Sequence, residues 1–125
     1  VAKRVRTFFG ELPEETRLAL RESGRRHWTS STTVRKLKEE GKLVVTPIKK
    51  IREIIKDYEG DVRIRIVLSK KPFSGKYRHD DGLSIMENGE CIVYLHPVLQ
   101  YYDDGYIRDV IEHEIDHCKV SFRSE

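Results

Sequence analysis

The sequence predicts an α+β fold, a small and mostly antiparallel sheet packed against helices, from three observations. Val62 to Leu68 alternates with period two, as a half-buried strand does. Two further apolar runs, 83–86 and 91–95, flank Asn88-Gly89, the strongest short signal for a hairpin turn. Residues 47–58 and 105–119 instead repeat apolar side chains every three or four positions, the mark of amphipathic helices.

The length of 125 residues suits one domain with a modest core. Residues 1–45 read as a basic, helical N-terminal extension and 46–120 as the core. Charged residues make up 36% of the chain and the mean hydropathy is −0.60. No apolar stretch is long enough to span a membrane, so no membrane partner is expected. The basic start, Val1-Ala-Lys-Arg-Val-Arg6, lacks the apolar segment of a signal peptide, and a cytoplasmic protein is expected. Cys91 and Cys118 both sit among apolar residues and read as buried free thiols. The net charge of +3 is uneven: residues 1–60 carry 15 Lys and Arg against 9 Asp and Glu, +6, and the remainder 9 against 12, −3. A basic front half is mostly solvated surface, and it also offers a surface for nucleic acid. High Lys, Arg and Glu content suits a heat-adapted protein as well.

In chain order, a basic segment ends at Phe8-Phe9-Gly10. A helix is then expected over 13–23, with Pro13 near its first position, acids in its first turn and Gly24 as its stop. His27 and Trp28 read as a packing pair before a polar loop, and 34–40 as a short helix stopped by Gly41. This pair of basic helices weakly suggests a helix-turn-helix, although the loop is too long for a tight one. Thr46 is expected to N-cap the next helix with Pro47 at its first position, and Ile48, Ile51, Ile54 and Ile55 on its buried face. After the strand at 62–68 comes a polar loop through His79, Asp80 and Asp81 to Gly82. The hairpin ends at His96-Pro97, one helical turn is expected near 98–102, and Asp103-Asp104 leads into the last helix.

That last helix contains His113-Glu114-Ile115-Asp116-His117. Histidines four apart on a helix share a face and can reach one zinc ion, which leaves the glutamate beside the open position. With His113 set at 0°, His117 falls at about 40° and the apolar residues Val110, Ile107, Cys118, Ile111 and Ile115 at about 60–200°. Glu114 falls at about 100°, inside the apolar arc. A carboxylate there is costly to bury unless it has a partner or a task, and general base towards a zinc-activated water is such a task. Asp109, Glu112 and Asp116 read as exposed helix acids, with hydrogen bonding to His113 as their alternative role. Cys118 points to the core.

The order helix, strand, hairpin, short turn and H-E-x-x-H helix over 46–120 resembles the upper subdomain of zincin metallopeptidases. It is similar in particular to the small gluzincin-like members, the minigluzincins, and to SprT-like proteins. The resemblance implies Zn²⁺ as cofactor, His113 and His117 as its ligands, Glu114 as catalytic base, and a protein or peptide substrate. It also implies that the strand before the motif helix, Cys91 to Leu95, pairs with the extended substrate. The third zinc ligand stays open among an upstream group (His79, Asp80, Asp81 or His96), Glu125 or the terminal carboxylate, a C-terminal segment beyond this chain, and a second chain. His96 is the best placed of the upstream groups, although a cleft or strand-end histidine is its plainer role. The expected function is a zinc-dependent endopeptidase, latent if the other wall of the cleft is missing. The alternative is a zincin-fold DNA-associated or regulatory protein with little or no proteolysis, in which Arg25 and Arg26 contact nucleic acid.

Overall fold

The structure, a computed structural model, describes residues 35–36, 39–40, 45–77 and 80–124. The elements expected before Val45 therefore lie almost wholly outside the described residues. Arg35, Lys36 and Glu39 are helical, in keeping with a helix over 34–40.

The described fold is α+β, with helix α1 (Ile48–Lys56), strands β1 (Ile64–Leu68), β2 (Gly82–Glu87) and β3 (Glu90–Leu95), and helix α2 (Asp104–Arg123). Short 3-10 turns lie at Gly75–Tyr77 and Pro97–Tyr101. Helix α1 starts one residue later than expected: Pro47 is its N-cap, in an extended conformation. Thr46 does not cap it. Its hydroxyl donates to the Tyr102 carbonyl at 2.7 Å and its amide to that of Gln100 at 2.7 Å, which ties the start of α1 to the second 3-10 turn. Ile51, Ile54 and Ile55 are buried as their spacing requires.

The sheet order is β1-β3-β2. Strands β2 and β3 form the expected hairpin, with Asn88 (φ 52°) and Gly89 (φ 81°) both in the left-handed conformation that a tight two-residue turn demands. Strand β1, however, runs parallel to β3. The sheet is mixed, with one parallel and one antiparallel pair, rather than mostly antiparallel. The hairpin leaves the far edge of β3 open, and β1 docks there in the register Ile64↔Cys91, Ile66↔Val93 and Leu68↔Leu95. That register gathers the apolar side chains of both strands on the face towards the helices. Strand β1 begins at Ile64 rather than Val62 because Asp61 accepts from both the amide (2.9 Å) and the guanidinium of Arg63, folding 61–63 into a turn.

One core lies between this sheet face and the two helices, built on Ile51, Ile54, Val93, Leu95, Leu99, Ile107 and Ile111. The cysteines are part of it, and they are not free thiols. Cys91, 1% exposed, and Cys118, 0% exposed, form a disulfide joining the start of β3 to α2. Strand and helix bring the two Cα atoms within 5.8 Å, inside bonding range.

Candidate metal centre and its cleft

Helix α2 is capped by Asp103, whose side chain accepts from the Tyr106 amide at 2.9 Å. From that start Tyr106, Ile107, Ile111, Glu114 and Cys118 turn inwards, while His113 and His117 stay exposed. The helix phase read from the sequence is thus the phase observed. Glu114, only 8% exposed, is the one charged side chain buried among the described residues.

The two imidazoles converge. His113 Nε2 and His117 Nε2 are 3.0 Å apart, with their rings perpendicular. Two nitrogens sharing a tetrahedral zinc at 2.0–2.1 Å from each stand about 3.4 Å apart, so the pair needs to open by only a few tenths of an ångström. The donor chemistry and spacing fit two ligands of one zinc ion. Among the described residues no group of three His, Cys, Asp or Glu side chains is gathered to hold a metal.

The pair faces an open cleft of about 1100 Å³ between α2 and the start of β2. Strand β2 contributes Gly82, Leu83 and Ser84, and α2 contributes its face from Tyr106 to Ser121. Gly82 sets how close the two walls come. A β-carbon built on it would lie 2.9 Å from Glu114 Cγ, 2.9 Å from Val110 Cγ1 and 3.4 Å from Glu114 Cδ. Only a residue without Cβ lets the strand lie against the glutamate. Gly82→Ala should therefore push Glu114 from its position and loosen β2 from the helix. A loss of about 1–3 kcal/mol in stability is expected from such overpacking, read by urea unfolding, and an unchanged midpoint would contradict the close approach.

Other groups around the cleft are already committed. Tyr106 donates through its hydroxyl to Asp81 Oδ2 and stacks on Tyr102 at 4.3 Å between ring centroids. The carbonyl of Asp81 accepts from the His96 amide at 2.9 Å, which fixes the loop before β2 onto the end of β3. Tyr58 donates to Glu112 Oε2 at 2.5 Å, and partial burial followed by that carboxylate raises the phenol above its ordinary value.

Of the upstream candidates for a third ligand, Asp80 and Asp81 line the cleft, but Asp81 is held by Tyr106. His96 is fully buried beneath Phe73 and accepts from the Val98 amide at 2.9 Å, capping the second 3-10 turn; it is not in the cleft wall. His79 and Glu125 lie outside the described residues. The expected substrate strand also needs correcting. Cys91–Leu95 is the central strand, hydrogen-bonded on both sides, and cannot accept another. Among the described residues, the strand beside the cleft with a free edge is β2. Gly82 and Tyr106 were not singled out from the sequence, although a glycine opening a strand does signal close backbone approach.

No family model, curated protein or solved structure matches this chain. The functional reading rests on its own residues.

Proposed function

We propose that the chain is a zinc-dependent metallopeptidase of the H-E-x-x-H type, with a zincin-like core. The observation that carries this is the pair of imidazole nitrogens 3.0 Å apart on the wall of a cleft, next to a glutamate buried to 8% exposure. Neither feature suits a plain surface helix, which has no reason to bury a carboxylate.

In this reading His113 and His117 hold Zn²⁺, and the third protein donor comes from Asp80 in the cleft wall, His79, Glu125, a following segment or a second chain. Zinc held there supplies Lewis acidity and makes water more acidic. Glu114 accepts the proton of the attacking water and returns it to the leaving amine. The close approach of Gly82 limits the room in which the Glu114 side chain can move. An extended peptide adds to the free edge of β2, which brings its backbone across the cleft. Cytoplasmic placement fits the disulfide only in a heat-adapted cell, because an ordinary reducing cytoplasm keeps such thiols apart. Among the described residues no helix is long and apolar enough to cross a membrane. The alternative, a DNA-associated or regulatory protein, puts nucleic acid on residues 1–45; the cleft itself, walled by carboxylates, repels a polyanion.

Elemental analysis of the purified full chain after zinc is offered tests the proposal. About one zinc per chain is expected, and essentially none in His113→Ala, since two imidazoles are the described donors. A wild-type chain that takes up no zinc, or a variant that takes up as much, overturns it.

A further inference from the structure

The cleft wall carries more negative charge than a metal centre explains. Asp80, Asp81, Asp109, Glu112, Glu114 and Asp116 all line it, and among the described residues no Lys or Arg does. The chain is +3 overall, so with these six removed the rest of the molecule is +9. Negative charge has been gathered into one groove of a basic protein. A divalent cation on the two imidazoles would offset two of the six charges and leave the wall strongly anionic.

Two of the described arginines are engaged elsewhere. Arg108, beside Asp109 in the chain, pairs with Asp57 at 2.9 Å, and Arg63 pairs with Asp61 at 3.2 Å. Asp109, Glu112 and Asp116 follow one another at three- and four-residue spacing along the helix face that carries the histidines, a like-charge arrangement that weakens a helix. A second, independent observation is Glu114. It is more than nine-tenths buried, lines the cleft, and has no hydrogen bond or ion pair among the described residues. Its oxygens are not among the buried atoms without a partner, so they open onto the cleft, where a ligand that supplies positive charge or a proton would meet them.

We infer that the cleft selects cationic peptides, taking segments with Lys or Arg within a few residues of the bond over the histidine pair. This names the substrate class for the proposed peptidase and rests on that reading for its chemistry, though not for the binding preference. The free edge of β2 holds the peptide backbone without regard to sequence, and the carboxylates on the facing helix supply the discrimination. Basic side chains alternate to either side of an extended strand, so those turned towards α2 meet Asp109 and Asp116.

The test is fluorescence anisotropy on the full chain with three labelled decapeptides, identical except for two positions that are Lys, Gln or Glu. The Lys peptide should bind about tenfold more tightly than the Gln peptide at about 50 mM salt, and the gap should narrow as salt screens it. The exposed pair Asp109→Asn with Asp116→Asn should remove most of the preference and leave zinc content unchanged. Equal affinity for the Lys and Gln peptides, or a preference undiminished in the double variant, overturns the inference. Cleavage assays on the zinc-loaded chain separate the two proposals. Binding of the Lys peptide with cleavage of none removes the peptidase reading alone. Cleavage of all three at equal rates removes the charge selection alone.

Discussion

Replacing Glu114 by Gln is expected to lower kcat on a cleaved peptide by about 10²–10⁴-fold, the usual contribution of a positioned general base, while zinc content stays unchanged. The substitution keeps the shape of the side chain, so its close fit against Gly82 is preserved. What it removes is the capacity to take a proton from water. The loss should appear in kcat and kcat/KM alike, because the interaction belongs to the transition state rather than to substrate binding. A second readout strengthens the test. Glu114 is buried without a hydrogen bond or ion pair among the described residues, so a neutral amide should be easier to bury there. The inactive variant should therefore be as stable as the wild type or up to about 1 kcal/mol more stable, as expected where function is kept at some cost to folding. Full activity in Glu114→Gln would remove it from the chemistry and leave it as an edge-of-core residue.

How much of this was legible depended on whether a feature is local. The phase of α2 follows from its own residues, and the positions of His113, Glu114 and His117 relative to the core followed with it. The Asn88-Gly89 turn is equally local, since both residues tolerate the conformation the turn needs. The parallel pairing of β1 was not legible, because alternation gives a strand its inward face but not its direction. A signal for the central place of β3 was present: Cys91, Ile92, Val93 and Leu95 are all buried, as in a strand covered on both faces, whereas β2 has an exposed Ile85. That run argues against using β3 as the substrate edge. Thr46 misled because a threonine before a proline suits an N-cap, and only the fold reveals the Tyr102 carbonyl as its better partner. The role of Gly82 required knowing that α2 passes beneath it.

The disulfide is the largest of these non-local features, and its removal should be the largest effect on stability. Cys91 and Cys118 are 27 residues apart, and both are buried in apolar surroundings that suit a thiol as well as a bridge. Constraining a loop of that size in the unfolded chain is worth about 3.5 kcal/mol in the chain-entropy account. Cys91→Ala with Cys118→Ala should therefore unfold about 3–4 kcal/mol more easily in urea, with Tm lower by about 10–15 °C. The effect should extend to the cleft. Cys118 lies one helical turn beyond Glu114 on the same buried face, and Cys91 lies on the strand that pairs with β2. The bridge thus holds α2 in register with the sheet on which Gly82 stands, and the close approach of Gly82 to Glu114 depends on that register. Zinc affinity, whose two described donors sit on one helix, should fall much less than stability, whereas cleavage, which needs both walls, should fall with it. A double variant as stable as the wild type under non-reducing conditions would mean that the two sulfurs are not joined in the folded protein. Packing alone would then hold the two walls of the cleft together.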